Sequence, residues 1–167
     1  MTRTLILTRH AKSSWNNPQL DDFDRPLNGR GRSSATKIGV WLNKNDYTPQ
    51  EVLVSGARRT VETWGHMAPK MPADITMRSD PALYHAGPET ILSTLRAAHE
   101  PTVMLICHNP GIAEFASRIV SKASDHIRFD DYPTCATTVI RFGIENWNDA
   151  AWGSGDVVDF VIPREIA

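Results

Sequence analysis

Three short apolar runs constrain the fold most: Leu5-Ile6-Leu7, Val52-Leu53-Val54 and Val103-Met104-Leu105-Ile106-Cys107. None alternates with polar residues, so each reads as a strand buried on both faces, the signature of a parallel sheet covered by helices. The stretches between them carry apolar residues at helical spacing, which gives the strand–helix alternation of an α/β protein. Each run also ends on anion-binding chemistry: Arg9-His10 after the first, Ser55 and Arg59 after the second, His108 after the third. In parallel sheets the ligand crevice lies beyond the carboxyl ends of the strands. Three such ends with these residues predict a phosphate-type site at one edge of the sheet.

The element boundaries follow the same reasoning. Thr4 to Thr8 is the first strand, and the Ser-, Asn-, Asp- and Pro-rich stretch through Arg25-Pro26 is a long functional loop. Asn28 is placed to cap a helix running to Leu42 with Ala35, Ile38 and Leu42 inward, although Gly29, Gly31 and Gly39 weaken its start and regularity. Glu51 to Val54 is a strand. A helix follows from Ala57 to about Met67, stopped by prolines at 69 and 72, with Arg59 in its first turn. Ile75 to Arg78 is a third strand and Pro88 to Ala98 a helix. Thr102 to Cys107 is a strand, and Pro110 opens a helix with Ile112, Phe115, Ala116 and Ile119 inward. Thr137 to Phe142 and Val157 to Ile162 close the sheet, with an antiparallel strand near the end; Trp147 and Trp152 between them read as packing residues.

Composition narrows the function classes. At 167 residues and 41% hydrophobic, the chain is expected to form one domain, residues 1–167, with a substantial core. A formal net charge of -1 argues against a nucleic-acid or polybasic membrane surface but leaves room for a local anion site. Two cysteines, Cys107 and Cys135, make no disulfide framework. The N-terminal stretch is too short for a secretory signal and no apolar run reaches membrane-span length, so the cytoplasm is the expected compartment.

Phosphoryl transfer to a side chain needs a nucleophile unprotonated near neutral pH, and the imidazole of His10 meets that need without an activating base. Its attack on a phosphate dianion requires cationic or hydrogen-bonding groups on the phosphoryl oxygens, for which Arg9, Arg59 and His108 are the candidates. Ser13, Asn16 and Arg25 in the long loop are further phosphate or substrate contacts; loop chemistry or an ion pair of Arg25 with Asp22 or Asp24 would explain them equally well. Arg58 is expected to be solvated or structural. His66, His85, His99 and His126 lack metal-ligand spacing, and neither metal nor cofactor is expected.

Leu7-Thr8-Arg9-His10-Ala11 resembles the signature of the histidine phosphatase superfamily, with Ala11 where the usual form has glycine. Ser55-Gly56-Ala57-Arg58-Arg59-Thr60-Val61-Glu62-Thr63 resembles its second motif and His108-Asn109-Pro110-Gly111 its third, in the family's order. The resemblance implies a phosphoglycerate mutase-like fold, a single-domain three-layer α/β/α sandwich with a mostly parallel sheet. It also implies that His10 is the phosphorylated nucleophile and that Arg9, Arg59 and His108 form a metal-independent phosphate pocket.

The short length and Asp22-Phe23-Asp24-Arg25-Pro26-Leu27 are similar to the small subgroup that includes SixA-type phosphohistidine phosphatases. Larger members place a proton-donating carboxylate where this chain reads Ala82-Leu83-Tyr84-His85-Ala86. An alkoxide leaving group needs that proton, whereas the labile P–N bond of phosphohistidine needs it less. The expected substrate is therefore phosphohistidine on a signalling protein, reached through a shallow, open pocket. Asp22, Asp24 and His85 are the residues that would replace the missing donor. A phosphatase for a small metabolite or phosphopeptide, or a phosphate-binding module without turnover, are the alternatives.

Overall fold

In the computed structural model, which describes residues 1–166, the first apolar run becomes β1 (Arg3–Arg9) at the interior of a six-stranded sheet. The other elements are α1 (Gly29–Lys44), β2 (Glu51–Val54), α2 (Arg58–Met67), β3 (Met77–Ser79), α3 (Pro88–Arg96), β4 (Thr102–Cys107), α4 (Gly111–Ile119), β5 (Thr137–Phe142) and β6 (Asp156–Val161). The strand order is β3-β2-β4-β1-β5-β6. β1 to β4 pair in parallel, and β5 and β6 add two antiparallel strands.

The period-2 geometry of strands divides each apolar run between two cores. Leu5, Leu7, Leu53, Val103 and Leu105 pack against α3 and α4 through Ile91, Leu95, Ile112, Phe115 and Ile119. Ile6, Val52, Val54, Met104 and Ile106 pack on the other face against Ala35, Ile38, Leu42, Trp64 and Met67 of α1 and α2. This is the expected three-layer sandwich. α1 and α2 lie on one face and α3 returns the chain across the other, so β4 is inserted beside β1. Arg9 and Cys107 are in register at their carboxyl ends. His10 and His108, the next residue on each strand, are thereby brought together at the switch in strand order.

Several boundaries move. β3 covers Met77–Ser79 rather than Ile75 to Arg78, because its register is set by pairing of Met77 with Val52 and Ser79 with Val54 on an exposed edge, where apolar pattern carries little information. α3 ends at Arg96, and Ala97 and Ala98 tighten into i→i−3 bonds to Thr94 and Leu95. The Asn28 side chain accepts from the Gly31 amide at 2.8 Å, and α1 is regular from Gly29. Two of its three glycines serve close approach: a Cβ on Gly31 would lie 2.1 Å from the Lys12 carbonyl oxygen, and one on Gly39 2.9 Å from the Met67 Cα.

Trp147 is buried against Phe142 and Trp152 packs on Phe115, both as structural side chains. Among the described residues, no helix is long and apolar enough to cross a membrane.

Candidate active site

The carboxyl ends of β1, β2 and β4 open into a solvent-facing cleft of about 230 Å³, lined by Arg9, His10, Ser13, Arg25, Arg59 and His108 together with Lys12, Trp15, His85 and Asn109. The imidazoles of His10 and His108 lie 5.1 Å apart between ring centroids. Backbone geometry fixes His10: its N–H donates to the Cys107 carbonyl at 3.1 Å and its C=O accepts from Cys135 N–H at 3.0 Å. The second motif locks the same turn from α2, since Thr63 Oγ1 accepts from the Ala11 amide at 2.9 Å and donates to the Arg59 carbonyl at 2.6 Å.

His10 Nδ1 is 2.7 Å from the Ala11 carbonyl oxygen, which can only accept. Nδ1 therefore carries the proton, and in the neutral ring Nε2 presents a lone pair. Burial first, then the charges of Arg59, Arg9 and Arg25, push the His10 pKa down to about 3 against the opposing pull of the Ala11 hydrogen bond. The ring is thus neutral at physiological pH. For His108, burial and then His10, Arg59 and His85 lower the pKa to about 3, with Asp22 opposing.

The tautomer of His108 is set by a chain of hydroxyls. Thr60 Oγ1 donates to the Ala57 carbonyl at 2.8 Å and lies 3.1 Å from Ser55 Oγ, which must therefore be its donor. Ser55 Oγ in turn accepts from His108 Nε2 at 2.7 Å. His108 Nδ1 is left as an acceptor, 3.3 Å from Arg59 Nη2.

The long loop is pinned at its base by a bridge between Ser13 and Leu27 and by Ser14 N–H to Pro26 O at 2.8 Å. This folds Asp22, Arg25 and Trp15 over the cleft. Arg25 pairs with Asp22 at 2.9 Å, hydrogen-bonds Ser13 Oγ and stacks on Trp15 with its Cζ 3.3 Å from the ring centroid. Asp22 Oδ2 accepts from Arg59 at 3.0 Å and from the Tyr84 hydroxyl at 2.5 Å, with His85 Nε2 at 3.4 Å. Burial alone would raise the Asp22 carboxyl, but the bonds from Tyr84, Arg59 and Arg25 outweigh it and hold it well below the usual carboxylate range. Arg9 Nη1 donates to the Tyr132 carbonyl at 3.2 Å, while its buried Nε has no partner among the described residues.

Of the residues singled out from sequence, the fold brings His10, Arg9, Arg59, His108, Ser13, Arg25 and His85 to the cleft, with Asp22 bonded to Arg59 beside it. Asn16 and Asp24 are exposed and do not line it. Arg58 is solvated and paired with Glu62, one turn on. Lys12, Trp15, Tyr84 and Thr60 were not anticipated as site residues, and Ser55, expected among the anion-binding groups, instead lies behind His108. Loop composition gives no cue to Trp15 or Lys12, though the hydroxyls of Thr60 and Thr63, five and eight residues after Ser55 in a helix start, are a usable one for the second motif. Among the described residues, no group of three or more His, Cys, Asp or Glu side chains is placed to hold a metal.

A mostly parallel α/β sheet whose switch-point cleft is lined by three histidines and three arginines is the arrangement of a phosphatase of the phosphoglycerate mutase-like class. A sequence model of the histidine phosphatase superfamily, branch 1, matches residues 5–86. An uncharacterised chloroplast protein of Arabidopsis thaliana is 31% identical over 166 residues, covering 93% of this chain and 73% of that protein. Two structures assigned as phosphohistidine phosphatase SixA are similar throughout. The one from Nakamurella multipartitia has a TM-score of 0.80 at 25% identity, covering 98% of this chain and 97% of that one. The one from Agrobacterium tumefaciens has a TM-score of 0.77 at 27% identity, covering 96% and 98%. The chain belongs to the histidine phosphatase superfamily.

Proposed function

We propose that the protein, acting as a single phosphatase domain, hydrolyses phosphohistidine on a carrier protein through a phospho-His10 intermediate. Arg9, Arg59 and His108 bind the phosphoryl oxygens, and Ser13 and Arg25 complete the pocket. The observation that carries the reading is His10 itself: a ring neutral by burial, its Nδ1 proton held by Ala11, its lone pair in a cleft ringed by guanidiniums. The unpartnered Arg9 Nε is a further donor suited to an anion.

In the first step Nε2 forms a bond to phosphorus as the substrate's P–N bond breaks. The bonding pair returns to the substrate imidazole, which leaves neutral when its other ring nitrogen is protonated. Phospho-His10 keeps Nδ1–H on the Ala11 carbonyl and carries the positive charge there. Water then attacks phosphorus, its protons pass to the released phosphate and solvent, and His10 returns to its starting tautomer with no proton transfer of its own.

The surroundings of Asp22 support a phosphoramidate over an alkyl ester. A carboxylate held ionised by Arg59, Arg25 and Tyr84 is a poor acid, and general acid catalysis for an alkoxide is worth about a hundredfold or more. His85, exposed at the rim, is the remaining donor for such substrates. The open cleft suits a phosphohistidine presented on a protein surface, and the names of the two SixA structures agree with that substrate.

The test is phosphate release by wild type and His10→Ala on a phosphohistidine peptide and a small alkyl phosphate. His10-dependent turnover favouring the peptide is expected. Preference for the alkyl phosphate would move the substrate to metabolism, and turnover unchanged in His10→Ala would remove the nucleophile assignment.

A further inference from the structure

Beside the cleft lies a second concavity of about 200 Å³, lined by Lys12, Arg30, Ser34, Arg128, Pro133 and Arg164 among others. It continues into a third of similar size that shares Arg30, Ser34 and Arg164 and adds Ser33 and Lys37. Lys12 lines both the catalytic cleft and the second concavity, so the two outer concavities form a trough that adjoins the cleft at Lys12, two residues from His10. Among the described residues, no Asp or Glu lines either of the two outer concavities.

The charge is uncompensated. Arg128 is paired with Asp131, but among the described residues Lys12, Arg30, Lys37 and Arg164 form no ion pair, and all four are exposed. Four free cations on one face of a chain with formal net charge -1 are a strongly local feature. The trough is also fixed relative to the nucleophile. Asn28 N–H donates to the Lys12 carbonyl at 3.0 Å, and Gly31 permits backbone contact between the first turn of α1 and Lys12. No step of the phosphoryl transfer uses these groups.

We propose that this trough docks the acidic flank of the phosphorylated carrier protein. The inference rests on the phosphohistidine-protein reading above and names the chemistry of that partner's surface. A shallow, polar, cationic trough adjoining the reacting centre matches carboxylates displayed around a phosphohistidine. Its selection acts on encounter and binding and leaves the chemical step alone.

Two synthetic phosphohistidine peptides of equal length test it, one with four glutamates flanking the phosphohistidine and one with alanines there, with free phosphoramidate as the small substrate. Wild type should show kcat/KM higher for the acidic peptide by about tenfold at low salt, an advantage that shrinks in high salt. Arg30→Glu with Arg164→Glu should erase or invert that ratio through KM, with kcat and phosphoramidate turnover unchanged; Arg30→Gln with Arg164→Gln should erase it without inverting it. An acidic-to-neutral ratio near one in wild type, or one unaltered in both double variants, overturns the docking surface. Equal losses on all three substrates also overturn it. Failure of wild type to turn over either peptide while it cleaves an alkyl phosphate overturns the phosphohistidine reading, and the docking assignment with it.

Discussion

Replacing Ser55 by alanine tests the hydroxyl chain behind His108. Ser55 Oγ, fully buried, accepts from His108 Nε2–H at 2.7 Å and from the Ala57 amide at 3.2 Å, and donates to Thr60 at 3.1 Å. Ser55→Ala leaves two buried donors unpaired, each costing about 1–3 kcal/mol, so a loss of about 2–4 kcal/mol is expected once partial relaxation is allowed. For a chain of this size that is a fall in Tm of roughly 4–16 °C. Thr60→Val removes the acceptor of the Ser55 hydroxyl and one donor to the Ala57 carbonyl, which still accepts from the Thr60 and Val61 amides, and should cost about 1 kcal/mol. Urea unfolding should show the midpoint moving at constant m. Freed from Ser55, His108 is no longer held with its proton on Nε2, so kcat should fall along with stability. A Ser55→Ala protein within about 0.5 kcal/mol of wild type, or no less stable than Thr60→Val, would refute the chain as the device that fixes His108.

The steric and titration arguments make two further predictions. Gly31→Ala should destabilise by about 1–3 kcal/mol and lower kcat, because its Cβ meets the Lys12 backbone. Gly65→Ala, in α2 with nothing within 4 Å, should stabilise by about 0.5–1 kcal/mol, and equal thermal shifts for the two would refute close approach as the reason for Gly31. His10 and His108, with pKa values lowered to about 3, should remain neutral in nitrogen-detected NMR from pH 8 to about 5, with the His10 proton on Nδ1. Unfolded histidines bind protons below about pH 6.5, so the stability tied to these two rings is complete above that pH and is lost as pH falls toward 3. Titration of either ring near 6.5 in the folded protein would refute the burial argument.

The sequence by itself determined the sandwich, because buried parallel strands must be apolar on both faces and helices must keep one inward stripe. Thr102–Cys107 and Thr137–Phe142 are strands as read, and Arg9, His10, Arg59 and His108 lie at strand ends or helix starts whose convergence the topology requires. Tertiary structure alone decided the rest. Asp22 reaches Arg59, Tyr84 and His85 only because a loop closes on itself, and nothing in Asp22-Phe23-Asp24 distinguishes the carboxylate at the site from the one in solvent. The glycines of α1 look like helix breakers until the neighbouring backbone is seen. Lys12, Arg30 and Arg164, far apart in sequence, become one charged trough through contacts between α1, the turn after β1 and the end of the chain. Periodicity records what each segment must bury; it carries no record of which distant charges folding will set side by side.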